Sequence, residues 1–332
     1  MGALRDRFPG ASITYVVEPH AAAIVQGNAD IDDVLVAPRE RGLRGLTADI
    51  ALGRALRARR FDLAIDFHGG PRASLLTWLS ASPTRVGYEI LGRSWMYTHR
   101  VSRPRALRAR HSVENQWDLL TAIGFDAPDR TRNRVEMPLD PRAAATVAAR
   151  LTDAGVIRQH RLAVVHVSAG NPFRRWPLEH FVAVVSALAH GQDHRIVVTS
   201  GPSETEAAAR VVADARATLG AVEGSRVLAC GEFSLVELRA LLERAHLYVG
   251  GDSGPLHIAA TTNVPVVALF GPTLPARSMP WRDPRLPMIA VDAGELPCRP
   301  CDQRRCAPGD FRCLTRIPPE RVVEAALRWL DG

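Results

Sequence analysis

Apolar residues recur along this chain in two rhythms, and the rhythms alternate. Short apolar or alternating runs, SITYVV (12–17), DDVLVA (32–37) and FDLAIDF (61–67), predict strands, whereas ADIALGRALRARR (48–60) has helical spacing. HSVENQWDLLTAIGF (111–125) predicts another helix, stopped by Gly124, and AAATVAARLTDAG follows a proline- and arginine-rich stretch at 131–141. The second half repeats the alternation more clearly. Strands are predicted at RLAVVHV (161–167), RIVVTSG (195–201), RVLACG, AHLYVGG and VPVVALFG (264–271). Between and after them lie the helices PLEHFVAVVSALAH (177–190, Pro177 in its first turn), ETEAAARVVADARATLG, SLVELRALLERA and PPERVVEAALRWL (318–330). Strands separated by helices of this length imply right-handed βαβ units and parallel sheets. The expected fold is α/β: two doubly wound domains facing a cleft, residues 1–150 and 151–332. One irregularity stands at the start, where ALRDRFPGASITYVV reads as a helix tail running into a strand. A doubly wound domain opens with a strand and a tight glycine turn, so the expectation is that the chain begins inside its first βα unit.

At 332 residues the chain is long enough for two cores, and 46% apolar content is ordinary for a globular protein. No apolar run reaches the length of a membrane span, and the N-terminus has no signal-peptide core, so the expected compartment is the cytoplasm. The net charge of +7 points to an acidic partner. All 42 basic residues are arginine, so any phosphate contact comes from a guanidinium fork. With 6% aromatics and no interleaving of aromatic and basic residues, nucleic acid is not the expected partner.

GGDSGPLH (250–257) carries the sharpest question, because Gly-Asp-Ser-Gly also surrounds the nucleophile of trypsin-like proteases. That chemistry needs a β-barrel, an upstream histidine and aspartate, and an oxyanion hole. An α/β chain reading GDSGPLH does not supply them. An anion site fits better: a buried strand, glycines that let the backbone turn, then a helix whose first-turn N–H groups and dipole favour negative charge. Asp252, Ser253, Gly254 and His257 are the candidates there, against the plainer reading that Asp252 and Ser253 only cap the helix and His257 is packed. HVSAGNPFRRWP (166–177) has the same strand–turn–helix form, with Ser168 and Gly170 able to approach a phosphate and Arg174 and Arg175 able to grip it. In TSGPSETEAAARVV, Ser203 and Glu206 read as a capping box, which leaves Glu204 at a strand end for ribose hydroxyls. The three turns together indicate a nucleotide-diphosphate site.

DSGPLHIAATTNVPVVALFGPT, with SAGNPFRRWPLEHF upstream, resembles glycosyltransferase family 9, the ADP-heptose:lipopolysaccharide heptosyltransferases. The likeness extends to VVEPHAAAIVQGNADIDDVL, to FDLAIDFHGGPRASLLTWLSASPTRVGY and to the cysteine-bearing tail. It implies a GT-B architecture, with an N-terminal acceptor domain and a C-terminal domain binding ADP-heptose. The implied activity is inverting heptose transfer to the lipopolysaccharide inner core, on the cytoplasmic face of the inner membrane and in peripheral contact with its anionic surface. Arg175 stands where the family usually has a phosphate-binding lysine, and Glu204 is similar to its ribose-binding glutamate. The family's base, an aspartate in a Gly-Asp turn after the first strand, has no counterpart here. Asp66 is the nearest strand-end carboxylate, either a substitute base, an acceptor contact or a cap. A start internal to a longer frame, a catalytically damaged ADP-sugar binder, and a transferase for another sugar nucleotide are the alternatives that this departure leaves.

Two constellations remain. WMYTHRVSRPRALRARH (95–111) is an aromatic and arginine-rich loop suited to an acidic glycolipid or to lipid headgroups. With His68, Arg93 and Arg100 it supplies the candidate acceptor contacts. Cys298, Cys301, Cys306 and Cys313 are spaced for a structural zinc site, for two disulfides or for free thiols, while Cys230 reads as a packed thiol. The transfer chemistry itself calls for no cofactor.

Overall fold

The computed structural model of the protein describes residues 1–102, 110–167 and 169–331. The chain divides into two units, Met1–Asn133 and Arg134–Gly332.

The first unit runs α1 (Gly2–Arg7), β1 (Thr14–Val17), α2 (Pro19–Val25), β2 (Asp33–Val36), α3 (Gly42–Ala58), β3 (Leu63–Ile65), α4 (Pro71–Leu79), β4 (Thr84–Tyr88), β5 (His99–Val101) and α5 (Ser112–Thr121). Every strand pairing is parallel, but the strands form two sheets, β1-β2 and β3-β4-β5. Among the described residues β1 is not paired with β3. One core cluster joins the buried Val86, Tyr88 and Leu119, with Leu63, Ile65, Phe67 and Ile123 packed around them, and Leu56, Leu76, Tyr97 and Leu120 are buried as well. Gly124 adopts a left-handed φ of 86° just past α5, the conformation that ends a helix at little cost for glycine.

The second unit runs α6 (Pro141–Asp153), β6 (Arg161–His166), α7 (Leu178–Ala189), β7 (His194–Thr199), α8 (Thr205–Gly224), β8 (Val227–Leu228), α9 (Leu235–Arg244), β9 (Leu247–Gly251), α10 (Gly254–Ala259), β10 (Val266–Phe270), α11 (Pro275–Ser278), β11 (Met288–Asp292), α12 (Arg312–Thr315) and α13 (Pro319–Leu330). The unit begins before α6, not after residue 150. Helix α6 packs on α9, Arg150 donates to the Cys230 carbonyl (3.1 Å) and Arg239 to that of Met137 (3.1 Å), so these segments belong to one body.

All six strands of the second unit are parallel, in the order β11-β10-β9-β6-β7-β8. The central strands read as continuous apolar runs because helices cover both faces of the sheet. Ala163, Val165, Ile196, Val249 and Val267 are wholly enclosed, with Phe181, Val184 and Leu188 of α7 and Val322 and Ala326 of α13 above them. The first strand of the unit, β6, lies beside its fourth, β9. The chain therefore leaves the middle of the sheet in opposite directions, and the loops after β6 and β9 part there. Open parallel sheets bind ligands in the crevice opened at such a switch point.

Candidate functional site

The loops after β6 and β9, two of the three that the sequence singles out, flank this switch point. His166, which ends β6, lies in register with Gly250 of β9. Helix α10 starts at Gly254 with Pro255 in its first turn and Ser253 as its extended N-cap residue, yet no side chain caps it. Ser253 Oγ turns back to the Gly251 carbonyl (3.3 Å). In the first turn Pro255 has no N–H and Leu256 N donates to the Ser253 carbonyl (3.1 Å), so among the described residues the Gly254 N–H is left without a hydrogen-bond partner, beside open space: a Cβ added at Gly254 would meet nothing within 4 Å. Behind α10, the fully buried Arg282 donates to the carbonyls of Val264 (2.8 Å) and Thr262 (3.1 Å) and fixes the far end of the turn. Burial pushes that guanidinium down to about 10, still charged at neutral pH.

Asp252 does not cap α10 either. It is buried, and its Oδ2 accepts from Thr273 Oγ1 (2.6 Å) and pairs with Arg174 Nη1 (3.1 Å). A carboxylate so placed is occupied by Thr273 and Arg174. Arg174 Nη1 also donates to the Asp252 carbonyl (3.1 Å). His257 Nε2 stands 3.9 Å from Asp252 Oδ1. Its imidazole lies against enough protein to hold its pKa below the ordinary value, Asp252 pulling it up and Arg174 pushing it further down. Near neutral pH it is an uncharged N–H donor at the mouth of the site.

The β7 end completes the group. A short 3-10 turn, Pro202–Glu204, precedes α8, and the expected capping box between Ser203 and Glu206 is not made because α8 starts at Thr205 without a side-chain cap. Glu204 is buried, and Arg175 Nη2 donates to its Oε1 (2.5 Å). Arg175 Nε donates to the Ala169 carbonyl (3.0 Å). The lateral spacing of strands brings together two residues that the sequence assigns to different parts of a nucleotide. Beneath them His166 is buried with its Nδ1 3.0 Å from Thr199 Oγ1, and burial holds its pKa at about 4. Gly170 is exposed with open space around its Cα, and Ser168 lies outside the described residues.

In the first unit Asp66 is a cap. Its Oδ1 accepts from the backbone of His68 (2.9 Å) and Gly69 (2.8 Å), its Oδ2 accepts from the Tyr97 hydroxyl (2.6 Å), and the residue is 3% exposed. Burial and the Asp66 carboxylate both raise the Tyr97 pKa. A carboxylate enclosed in this way has no face left for an acceptor hydroxyl. His68 is exposed and accepts from Gly70 N (3.1 Å); Arg93 reaches the Gly69 carbonyl (3.4 Å), and Arg100 is exposed on β5. Within the arginine-rich loop, residues 103–109 lie outside the described residues.

All five cysteines are free thiols, so the two-disulfide arrangement is not formed. The four clustered thiols are near neighbours, and burial followed by the other three pushes Cys313 up to about 11. Among the described residues, however, no three His, Cys, Asp or Glu side chains are placed to hold a metal ion, so the zinc set is not assembled in this geometry.

Residues 50–309 match the model of glycosyltransferase family 9 (heptosyltransferase), which is well over half of the chain. The chain belongs to glycosyltransferase family 9. Among relatives, lipopolysaccharide heptosyltransferase 3 of Escherichia coli is 26% identical over 340 residues, covering 100% of this chain and 94% of that protein. Among solved structures, the family 9 glycosyltransferase of Veillonella parvula superposes with a TM-score of 0.81 at 22% identity, covering 99% of this chain and 90% of that one. The ADP-heptose lipopolysaccharide heptosyltransferase II of Escherichia coli does so with 0.75 at 18%, covering 99% and 92%. The fold of this family 9 glycosyltransferase is accordingly GT-B.

The family match spans the whole switch-point group, from His166 to Gln303, whose Oε1 accepts from Arg174 Nε (2.7 Å). Sequence reasoning missed three members of it. Thr273 and Gln303 carry no motif of their own, and their part shows only when the loops after β10 and β11 fold back over the sheet. His166 was legible in principle, as a polar residue ending an otherwise apolar strand.

Proposed function

We propose that this protein is an inverting glycosyltransferase that moves heptose from ADP-heptose to the lipopolysaccharide inner core. The observation that carries the reading is the uncapped switch point: Arg174 and Arg175, paired with the buried Asp252 and Glu204, gather at the strand ends beside the start of α10. A diphosphate lies against the Gly254 amide and Arg174, and Glu204 turns to the ribose hydroxyls once Arg175 swings from it to the phosphates. Attack of an acceptor hydroxyl on the anomeric carbon builds positive charge on the sugar and negative charge on departing ADP. The guanidinium groups, the helix terminus and the neutral His257 stabilise that leaving group electrostatically. No divalent cation enters this scheme. Relatives are named as lipopolysaccharide heptosyltransferases, which supports the sugar and the acceptor class.

Peripheral contact with an anionic membrane surface belongs to the same reading. No helix among the described residues is long and apolar enough to cross a membrane. Helix α3 nevertheless presents Leu43 (82% exposed), Leu46 (53%) and Ile50 (38%) along one outward stripe. Arg39, Arg41, Arg44, Arg54 and Arg57 are exposed around it. Apolar side chains ringed by cations fit the headgroup region of anionic lipid on the cytoplasmic face.

The enclosure of Asp66 favours a second reading, an ADP-sugar-binding protein that does not transfer. Incubation with ADP-heptose and a lipid A–Kdo acceptor decides between them. Heptosylated acceptor with stoichiometric ADP supports the transferase, and ADP-heptose binding without product supports the binder.

A further inference from the structure

The cysteine-bearing loop has no part in the chemistry above, yet its side chains reach the donor site. Gln303 lies between Cys301 and Cys306 in the left-handed region (φ 58°), where a non-glycine residue is uncommon. Its Oε1 accepts from Arg174 Nε (2.7 Å) and from Asn171 Nδ2 (2.8 Å). Asn171 in turn caps the turn that carries Arg174, accepting from Phe173 N through Oδ1 (3.0 Å). The Arg174 guanidinium is therefore held on two edges, Nε by Gln303 and Nη1 by Asp252, while among the described residues Nη2 has no hydrogen-bond partner.

Arg299, in the same loop, does the equivalent for Asp252. Its side chain is 3% exposed, and it donates to the Thr273 carbonyl (2.8 Å), to Asp292 Oδ2 (3.2 Å) and to the Gly294 carbonyl (2.6 Å). The backbone N–H of Cys301 donates to the Pro272 carbonyl (3.3 Å). Thr273, pinned through its carbonyl, donates its hydroxyl hydrogen to Asp252. The loop thus touches both halves of the Arg174–Asp252 pair.

We propose that Gln303 is a positioning residue for donor binding: it holds Arg174 in the rotamer that presents Nη2 to the diphosphate of an ADP-sugar. This rests on the donor-site reading above. The physical reason is preorganisation. A free arginine side chain loses rotamer freedom when it binds an anion, and an acceptor on Nε imposes that loss before the ligand arrives. The loop's function is then to brace a binding arginine, whatever the state of its thiols.

The test is calorimetric titration of ADP into the full chain and into Gln303→Ala, Arg174→Ala and the double variant, with a thermal melt of each. The expected result is about five- to tenfold weaker ADP binding by Gln303→Ala at an unchanged melting temperature. In the Arg174→Ala background the same substitution has no further effect, which a loss of general loop structure would not produce. Gln303→Glu, which keeps an acceptor at the same reach, retains the coupling to Arg174. Wild-type-like binding by Gln303→Ala, or full additivity of the two substitutions, overturns the proposal and leaves the donor site standing. Failure of the wild-type chain to bind ADP overturns both.

Discussion

Gly254→Asp separates anion binding from folding at the donor site. Gly254 opens α10, its φ lies outside the left-handed region, and a Cβ there meets nothing within 4 Å, so the fold accepts a side chain at this position. An aspartate in the first turn of a helix interacts favourably with the helix dipole by about 0.3–1 kcal/mol. The same carboxylate stands where a diphosphate would lie. At an effective dielectric constant of about 20, two unit charges about 5 Å apart repel by about 3 kcal/mol, which weakens binding by about a hundredfold. Stability and affinity are therefore expected to move in opposite directions: an unchanged or slightly raised melting temperature, and ADP affinity reduced about a hundredfold by calorimetry. Gly254→Ala, as the neutral control, binds ADP as the wild type does. Undiminished ADP binding by Gly254→Asp would refute the placement of the diphosphate at α10. A loss of affinity matched in Gly254→Ala would show that the turn tolerates no side chain and that charge is not the cause.

Three further outcomes follow from the same structure. His166 has its pKa held below its unfolded value of 6.5, at about 4, so the stability linked to it is fully present above pH 6.5 and is lost as the pH falls toward 4. That drop is worth about 3 kcal/mol; in urea melts His166→Gln is expected to lose this part of the acid sensitivity, and identical pH profiles for the two proteins would count against it. Asp66→Asn removes the acceptor for the Tyr97 hydroxyl and is expected to cost about 1–3 kcal/mol of stability with ADP affinity intact; loss of turnover at full stability would make Asp66 a base after all. Replacing Leu43, Leu46 and Ile50 together with serine is expected to reduce co-sedimentation with vesicles containing anionic lipid while ADP binding is unchanged, and equal sedimentation would remove α3 as the membrane face.

The second unit was legible in the sequence because each of its central strands is a continuous apolar run bounded by glycine or polar residues, and its helices carry clear amphipathic spacing. β6, β7, β9 and β10 fall within the expected runs. β4, β5 and β11 were not anticipated. His99–Val101 is three residues long with two exposed positions, and Met288–Asp292 is an edge strand only partly buried, so neither shows a periodicity that stands out from loop. The capping box expected at Ser203 formed instead at Ser234 and Glu237, where the 3-10 turn that displaced the first one is absent. Small residues, arginines and an acidic residue marked the three strand ends that the sheet order brings side by side. Their pairing was not legible, because Arg175 with Glu204 and Arg174 with Asp252 and Gln303 depend on which strands become neighbours and on loops folding back across more than a hundred positions. The same limit applied to Asp66: its position at a strand end is visible in the sequence, but the tyrosine hydroxyl and two amides that consume it are not.

The central claim is that the donor diphosphate sits at the β6–β9 switch point, and the structure of the ADP complex tests it most directly. The expected result is phosphate density within hydrogen-bonding distance of Arg174 Nη2 and the Gly254 N–H at the start of α10, with the ribose beside Glu204. Well-ordered ADP bound elsewhere on the second unit, with Arg174 and Arg175 still turned to Asp252 and Glu204, would contradict it.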